Sequence, residues 1–382
     1  MQRTVFDADH EAYRASVREF VAREVIPHHA QWRTDRLIDR GMWLEAGKQG
    51  LLAPGVPEIY GGGGVDDFRF NAVLNEELSA VGAALASSVT IHTDIVAPYL
   101  LELTTDEQKA RWLPGFASGE HVAAIGMTEP SAGSDLGSLR TTARRDGDVF
   151  VVDGSKTFIT NGYGADLVVV AVRTGTTESR ARGISLLVLE AGMAGFTRGR
   201  KLDKVGQHEA DTAELFFDGV RVPAANLLGE VDRGFVHMME RLPQERLSCA
   251  LSNVAHAWAV LGDTLAYARE RRAFGQPIGS FQANKHKLAE LVTQLDVTRA
   301  FVDTCLALHV RGELSAVDAA KAKWWSSDVQ NAVIDQCVQL HGGYGYMTEY
   351  PVAQAWMDAR VSRIWAGSNE IMKEIIGRDL GL

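Results

Sequence analysis

The sequence predicts an α+β fold with an N-terminal α-helical domain over residues 1–124, a middle antiparallel β-sheet or barrel domain over residues 125–234, and a C-terminal four-helix bundle over residues 235–382. Three observations predict this order. Apolar residues recur near a 3.6-residue period at both ends of the chain, they alternate with polar residues in the middle, and the last helices are long with short connections. A chain of 382 residues, 46% of them apolar, is long enough to bury such cores.

The N-terminal region has the spacing of amphipathic helices. In DADHEAYRASVREFVAREVI, residues 7–26, apolar side chains recur near a helical period, and Pro27 is predicted to end the helix. Further helices are predicted over residues 39–49, 67–81 and 85–103. The glycine run at residues 61–64 is predicted to be a loop, and since no Gly-Lys-Ser or Gly-Lys-Thr follows it, it does not fit a phosphate-binding P-loop.

The middle region alternates apolar and polar residues. DGDVFVVDGSKTFITNG, residues 146–162, contains the pairs Asp146-Gly147 and Asp153-Gly154, and each pair predicts a hairpin turn. Further strands are predicted in ADLVVVAVRT, GISLLVLEA and TAELFFDGVRVP. Their spacing favours a compact antiparallel sheet or barrel over βαβ units.

The C-terminal region is helical again. From Leu247 to Leu265, apolar residues recur at spacings of four and three, and two further long helices are predicted over residues 289–309 and 316–340. Short connections between long helices predict an antiparallel bundle.

Composition excludes several classes of protein. The formal net charge of −10 disfavours nucleic acid as a partner, because nucleic acid requires a basic surface. We expect no membrane span, because no stretch is read as reaching the required length, and no signal or transit peptide at the N-terminus. The three cysteines lie far apart without metal-ligand spacing, so they are predicted to be buried thiols in a reducing compartment. A cytoplasmic protein is the expectation.

Three segments carry candidate ligand contacts. IGMTEPSAGSDLGS, residues 125–138, concentrates hydroxyls and turn residues, and it is either an interdomain linker or a loop that binds a polar ligand. The arginine cluster just ahead of Phe274 fits either a pyrophosphate group or a solvated helix end. QLHGGYGYM, residues 339–347, does not fit a dinucleotide fingerprint because no strand precedes it, and its histidine is more typical of a structural residue.

Glu245 stands at the start of an apolar stretch. From Arg246 to Asp263 the intervening residues carry no formal charge, apart from a possible one on His256, which predicts a helix buried on most of its faces. The glutamate is either an exposed first-turn residue stabilised by the helix dipole, or a carboxylate whose pKa is raised at the edge of an apolar helix, as a general base requires.

Five motifs together resemble the acyl-CoA dehydrogenase family. They are MTEPSAGSDL, GSKTFITNG, RRAFGQPIGSFQ, QLHGGYGYM and IWAGSNEIMKEIIGR. Each motif alone is weak, but all five occur in the family's order and spacing, and the likeness runs through nearly the whole chain. The family's architecture is also helices, then sheet, then bundle.

The resemblance implies FAD between the β domain and the bundle, partly held by a neighbouring subunit. The cofactor-binding residues that it implies are Met127, Thr128, Ser134, Phe158, Ile159, Thr160, Arg271, Phe274, Gln282, Gln339, Leu340, His341, Gly342, Gly343, Ser368, Asn369 and Glu370. The substrate-binding residues that it implies are Ser134, Pro243, Gln244, Arg246, Ala366 and Gly367. Among the cofactor residues, Arg271, Gln282 and residues 339–343 are expected at the FAD of the partner subunit.

The implied reaction is α,β-dehydrogenation of an acyl-CoA thioester, and the implied base is Glu245. Most family members place the base where this chain has Ala366, whereas a subset exemplified by the long-chain and isovaleryl enzymes places it on the bundle helix, at the position of Glu245. The Ala366 N–H is expected to polarise the thioester oxygen. The acyl group is expected to be long or branched, with Trp258 and Tyr99 as candidates for setting the depth of its pocket.

The resemblance also implies partners. Electrons are expected to pass to an electron-transfer flavoprotein, and the protein is expected to be a homotetramer built as a dimer of dimers. Two alternatives stay open at this point. One is an acyl-CoA oxidase that gives its electrons to oxygen, and the other is a non-catalytic acyl-CoA-binding subunit that depends on a partner.

Overall fold

The computed structural model describes residues 3–382, and helices occupy its first part. Side-chain caps mark several of their starts: Asp7 accepts hydrogen bonds from the N–H groups of Asp9 and His10, and Thr105 accepts one from that of Gln108. The helices are α1 Ala8–Phe20, α2 Ile26–Asp35, α3 Arg40–Lys48, α4 Phe68–Val81, α5 Ala83–Thr90, α6 Ala97–Glu102 and α7 Asp106–Ser118.

The prediction that Pro27 ends the first helix is wrong. A π-helical turn over Val21–Val25 joins α1 to α2, and Pro27 lies in the first turn of α2. Proline is tolerated there because its missing N–H is one that the first turn of a helix leaves unpaired. A second π-helical turn, Ile91–Val96, joins α5 to α6 within the helix predicted over residues 85–103.

The middle region forms one mixed sheet. Its strands are β1 Ala123–Gly126, β2 Thr142–Asp146, β3 Val149–Thr160, β4 Leu167–Arg173, β5 Ile184–Glu190, β6 Phe196–Lys201, β7 Thr212–Pro223 and β8 Leu227–Leu228. The strand order is β6-β7-β3-β2-β4-β5-β8, and β1 pairs with β4. Most pairs are antiparallel as predicted, with one correction. β1 runs parallel to β4, because it enters the sheet directly from the helical domain, and β2 also meets β4 in parallel at one residue pair.

Only one of the two Asp-Gly pairs forms the predicted hairpin turn. The pair at Asp146 forms the turn between β2 and β3, where Asp146 is opposite Val149. The hairpin predicted at Asp153-Gly154 is wrong, because this pair lies inside β3 at an irregularity in the pairing with β7. Gly154 has φ +143°, and a Cβ there would stand 2.7 Å from the Thr141 Cα. The glycine therefore permits a close backbone approach instead of a turn.

Three long helices and two short ones form the C-terminal domain. The elements are α8 Gly234–Glu270, the short strands β9 Arg272–Ala273 and β10 Gln276–Pro277, α9 Gln282–Val310, α10 Ala316–His341, α11 Pro351–Ala359 and α12 Asn369–Asp379. α10 packs against α8, α9, α11 and α12, and α8 also packs against α4 of the first domain. The predicted order of helices, sheet and helical bundle is confirmed, while the domain boundaries stay predictions.

The sequence argument that no stretch reaches membrane-spanning length is wrong, although the expectation of no membrane span is not contradicted. Residues Ala83–Glu102 are long and apolar enough, by length and composition, to cross a membrane. In the structure, however, 83% of the most apolar window of this segment is buried inside the protein. The segment is therefore a core helix of the first domain.

Candidate functional site

A cavity of about 680 Å³ opens where the helical domain, the sheet and the bundle meet. Its walls come from α5 and the π-helical turn after it, the loop after β1, the end of β3, α8 and the turn before α12. Of the predicted site residues, it brings together Met127, Thr128, Ser134, Phe158, Ile159, Thr160, Glu245, Arg246, Ala366 and Gly367. These residues are far apart in the chain, so the cavity is a product of the whole fold.

The loop after β1 is fixed by a buried ion pair. The Lys156 Nζ donates to the Glu129 Oε1 at 2.7 Å, and Glu129 also accepts the N–H groups of Arg140 at 2.6 Å and Thr141 at 2.9 Å. Burial lowers the pKa of Lys156 to about 8, although Glu129 opposes that shift. The two motifs that contain Glu129 and Lys156 are thus tied together. The loop that they hold presents Thr128 and Ser134 to the cavity.

Phe158 forms an aromatic wall of the cavity. Its backbone has φ +60°, and 69% of the residue remains exposed. The neighbouring Ile159 is buried in the sheet core. Asn161 also has a positive φ and donates to the Ser88 and Ala123 carbonyls at 2.8 and 3.2 Å, which anchors this end of β3 against the helical domain.

Glu245 is buried in α8 with its carboxylate beside the cavity. Only 6% of the residue is exposed, and the Tyr99 hydroxyl donates to its Oε1 at 3.1 Å. Burial raises the pKa of Glu245 to about 7, while the Tyr99 hydrogen bond and the charges of Arg246 and Arg241 act in the opposite direction. The structure therefore excludes the interpretation of Glu245 as an exposed first-turn residue.

Arg246 adds an unpaired positive charge to the cavity wall. It is 6% exposed and lines the cavity, and within residues 3–382 its side chain forms no hydrogen bond or ion pair, with its Nε fully buried. Arg241, one turn earlier, is instead paired with Glu102 at 2.6 Å and lies over the Tyr99 ring. Arg246 is thus free to interact with a bound ligand.

The turn before α12 places two consecutive residues in the left-handed region. Ala366 has φ +51° and Gly367 has φ +84°. The Trp365 N–H donates to the Val361 carbonyl at 3.2 Å, and the Ser368 hydroxyl accepts the Ile371 N–H at the start of α12. In the described part of the chain, the Ala366 N–H has no hydrogen-bond partner. It remains available for an acceptor in the cavity.

Several predicted residues do not reach the cavity. Neither Pro243 nor Gln244 lines it: the Gln244 Nε2 donates to the Asp94 carbonyl at 2.6 Å, and its Oε1 lies 3.1 Å from the His309 Nε2. Gln244 points away because successive side chains on a helix diverge by about 100°. Trp258, a candidate for setting pocket depth, does not line the cavity either, and the guanidinium of Arg299 lies 4.6 Å from its ring.

The two residues after Ser368 do not line the cavity, and Asn369 instead forms hydrogen bonds within the chain. Asn369 is 4% exposed, and its side chain bonds to Lys323, Ser327 and Asp328 on α10. Glu370 lies in the exposed first turn of α12. A contact between these residues and a cofactor stays a prediction.

The residues expected at a neighbouring subunit's cofactor lie outside the cavity of this chain. Phe274 is 96% exposed, and Arg271 lies 5.4 Å from the Tyr344 ring. The His341 Nδ1 lies 2.8 Å from the Cys337 carbonyl, and its ring stacks on Tyr267, as expected of a structural histidine. The same region contains Gln282, Gln339, Leu340, Gly342 and Gly343. Their roles stay predictions, because they require a second subunit.

The hydrogen bond between Tyr99 and Glu245 is a contact in the site that the sequence does not predict. Tyr99 was a candidate for pocket depth, yet it is fully buried and bonded to Glu245, a residue 146 positions away in the chain. No local pattern around Tyr99 signals this contact, because it depends on how α6 packs against α8.

The cavity suits a flat ligand with polar edges. Phe158 offers an exposed ring as one wall. Three buried polar atoms of its lining residues have no partner within the described residues: the Arg246 Nε, the Trp365 Nε1 and the Gln330 Oε1. An isoalloxazine ring has a broad apolar face and a hydrogen-bonding edge, so the residues present fit the cofactor that the sequence implies.

Comparisons with known proteins agree along the whole chain. Models of the N-terminal, middle and C-terminal domains of acyl-CoA dehydrogenases match residues 7–120, 124–220 and 232–381. The chain is 47% identical to the mitochondrial long-chain specific acyl-CoA dehydrogenase of Sus scrofa, over 99% of this chain and 88% of that protein.

Solved structures give the same result. An acyl-CoA dehydrogenase from Geobacillus kaustophilus is 46% identical and superposes with a TM-score of 0.97 over 99% of both chains. A glutaryl-CoA dehydrogenase from Mycobacterium smegmatis, solved in complex with FADH2, is 26% identical with a TM-score of 0.91, over 98% of this chain and 95% of that one.

Proposed function

The chain belongs to the acyl-CoA dehydrogenase family, and from this premise we propose that it is an FAD-dependent dehydrogenase of long-chain acyl-CoA thioesters with Glu245 as its base. One observation carries the proposal. Glu245 is a buried carboxylate beside the cavity with a pKa raised to about 7 by burial, at a site where Ala366 offers no carboxylate of its own.

Glu245 accepts the proton from Cα of the thioester. That proton is too weakly acidic for a carboxylate in water, so the base must be desolvated and held close to Cα. Burial in α8 removes water from Glu245, and Tyr99 holds one of its oxygens at 3.1 Å. Near neutral pH a substantial fraction of Glu245 is ionised, because its pKa of about 7 lies in that range.

The turn before α12 stabilises the negative charge that develops on the thioester oxygen. The Ala366 N–H lacks a partner in the described structure, and its left-handed backbone is fixed on both sides. A donor that is already oriented loses little free energy to reorganisation when charge develops. Arg246, unpaired in the cavity wall, adds a positive potential to the same region.

FAD, when bound, supplies the acceptor for the hydride that leaves Cβ. Met127, Thr128, Phe158, Ile159 and Thr160 would hold it, since all of them line the cavity. A family member solved with FADH2 supports this choice of cofactor. Transfer of the electrons to an electron-transfer flavoprotein follows from the family's chemistry.

A long acyl chain is the substrate that we favour. The mitochondrial enzyme at 47% identity is long-chain specific. Besides Glu245, apolar side chains of the π-helical turn after α5, of α8 and of α12 line the cavity, among them Ile95, Leu242 and Ile375. An apolar wall binds each added methylene with about 0.8 kcal/mol until the pocket is filled.

The test is anaerobic titration of the FAD-loaded protein with saturated acyl-CoA thioesters. Palmitoyl-CoA should bleach the flavin absorbance, and butyryl-CoA and isovaleryl-CoA should bleach it more slowly. If isovaleryl-CoA reduces the flavin as fast as palmitoyl-CoA or faster, a branched acyl group becomes the favoured substrate instead of a long one. An absence of reduction by every thioester would contradict the proposal and favour a non-catalytic subunit, and rapid peroxide formation under air would favour an oxidase.

Two further assignments belong to this proposal. A homotetramer is proposed because the cofactor-directed residues around Phe274 lie outside the cavity of their own chain. A cytoplasmic location is proposed because the described cysteines are free, two of them buried and Cys249 partly buried.

A further inference from the structure

We propose that Lys323 is a positioning residue for the dehydrogenation, fixing the Ala366–Gly367 turn from behind and placing a positive charge next to the N–H that binds the thioester oxygen. The inference rests on the proposed function, because it concerns the donor that this chemistry needs. Lys323 lies on α10 and does not itself line the cavity.

The first argument is the set of contacts that Lys323 makes. Its Nζ donates to the Gly367 carbonyl at 2.6 Å and to the Asn369 Oδ1 at 3.1 Å. On the other side of the turn, the Trp365 N–H bonds to the Val361 carbonyl at 3.2 Å. The peptide that carries the Ala366 N–H is therefore bracketed by two fixed groups, and Lys323 provides one of them.

The second argument is the charge of Lys323. The residue is fully buried, and within residues 3–382 no carboxylate lies within ion-pair distance of it. Burial lowers the pKa of Lys323 to about 8, while the charges of Glu370 and Asp328 act in the opposite direction. Asp328 pairs with Arg363 at 2.7 Å and accepts from the Asn369 Nδ2 at 3.0 Å. Burying a cation whose hydrogen-bond partners are all neutral costs folding free energy. This cost indicates that the charge of Lys323 has a role in the turn that it contacts.

The third argument is the backbone conformation that Lys323 supports. Ala366 has φ +51°, a conformation that costs an L-residue other than glycine about 1–2 kcal/mol. Such strain persists only where the surroundings hold it in place. The hydrogen bonds from Lys323 to Gly367 and Asn369 hold the residues that follow Ala366, whose N–H has no hydrogen-bond partner in the described structure.

A consequence follows for the bound thioester. Removing the charge should make an enolate at this site less stable while leaving the binding of a neutral ligand nearly unchanged. The acidity of Cα in a bound ligand therefore reports on Lys323 more directly than turnover does, because turnover also depends on Glu245.

The experiment uses the FAD-loaded protein and a 3-thiaacyl-CoA, whose sulfur acidifies Cα and prevents oxidation at position 3. Its enolate over the oxidised flavin gives a long-wavelength charge-transfer absorbance, which is titrated with pH in the wild type, Lys323→Met and the control Lys204→Met. Lys204 is a partly buried lysine bonded to the Ala210 carbonyl and the Thr212 hydroxyl, and within residues 3–382 it makes no hydrogen bond to the turn before α12. Binding of an alkyl-CoA thioether, which has no carbonyl oxygen, is measured alongside.

In Lys323→Met, the pKa of the bound 3-thiaacyl-CoA should rise by at least about one unit, with thioether affinity within about twofold of wild type, and Lys204→Met should match wild type. An unchanged ligand pKa in Lys323→Met overturns the proposal, and so does an equal loss of affinity for both ligands. If Lys323→Met does not fold, Lys323→Gln is judged by the same criterion, because it keeps a donor and loses the charge. If the wild type does not form the enolate, the proposed function is contradicted, and the inference about Lys323 is contradicted with it.

Discussion

Glu245 owes its proposed reactivity to its surroundings. Its carboxylate is removed from water by α8 and the helical domain, and within residues 3–382 its one side-chain hydrogen bond comes from a neutral hydroxyl, that of Tyr99. The charges of Arg246 and Arg241 offset part of the burial effect, so the pKa of Glu245 comes to about 7 instead of rising further. At the residue scale, Tyr99 is therefore the group whose removal reports most directly on the state of Glu245.

We expect Tyr99→Phe to raise the pKa of Glu245, because the hydroxyl stabilises the ionised carboxylate. The base works when it is deprotonated, so activity falls as the pH drops through its pKa. The acid limb of kcat/KM should then move to higher pH, by about one to two units for a lost hydrogen bond to a charged group. Activity should recover as the pH rises above the shifted limb.

The matched control is Tyr13→Phe. Tyr13 is a partly buried tyrosine whose buried hydroxyl has no partner in the described structure, and it does not line the cavity. Its pH profile should coincide with wild type. An unshifted acid limb in Tyr99→Phe would contradict the role assigned to the hydrogen bond.

At the scale of elements, the loop after β1 is held by charge instead of by regular secondary structure. Lys156 on β3 donates a hydrogen bond to Glu129, and that carboxylate also accepts hydrogen bonds from the N–H groups of Arg140 and Thr141. The position of Ser134 and Thr128 in the cavity thus depends on a contact between two motifs that are 27 residues apart.

Lys156→Met should lower the free energy of unfolding by about 3–5 kcal/mol, because it leaves the buried Glu129 without its partner. Urea denaturation followed by circular dichroism measures the loss. The double variant Lys156→Met, Glu129→Gln should recover part of the lost stability, since it removes the uncompensated charge. Equal stability of the single and double variants would show that the ion pair is not what holds the loop.

Local signals predicted most elements and failed where packing decides. The helix predicted over residues 316–340 became α10, Ala316–His341, because a long apolar period and the cap at Ser315 act locally. The pairs Asp146-Gly147 and Asp153-Gly154 look alike in sequence, yet only the first forms a turn, since the backbone near Thr141 approaches Gly154 too closely for a side chain. The π-helical turn before Pro27 likewise has no signature in the spacing.

At the scale of the whole molecule, the cavity joins segments that no local pattern relates. The sequence located Glu245 only as one of two interpretations, and the family resemblance decided between them. Gln244 and Trp258 do not line the cavity, because the direction of a side chain on α8 depends on the packing of α4, α9 and α10 around it.

Phe274 tests the proposed assembly. The ring is 96% exposed in this chain, and the family resemblance places it near a neighbouring subunit's cofactor. Phe274→Ser should weaken FAD retention at least about fivefold, as loss of a buried aromatic contact of 1 kcal/mol or more implies, and should favour smaller assemblies in sedimentation equilibrium. Ile59→Ser, which removes an 84% exposed apolar side chain from the helical domain, should change neither property. If the two variants behave alike, Phe274 has no place at a cofactor-bearing interface.

The central claim is that Glu245 is the base, and the most direct measurement is the rate of anaerobic flavin reduction by palmitoyl-CoA in Glu245→Gln. Glu240→Gln, a change at an exposed glutamate on the same helix, serves as the control. We predict that Glu245→Gln binds the thioester and perturbs the flavin spectrum but is reduced about 10²–10⁴ times more slowly than wild type, while Glu240→Gln is reduced at the wild-type rate. Full reduction of Glu245→Gln at the wild-type rate would contradict the account.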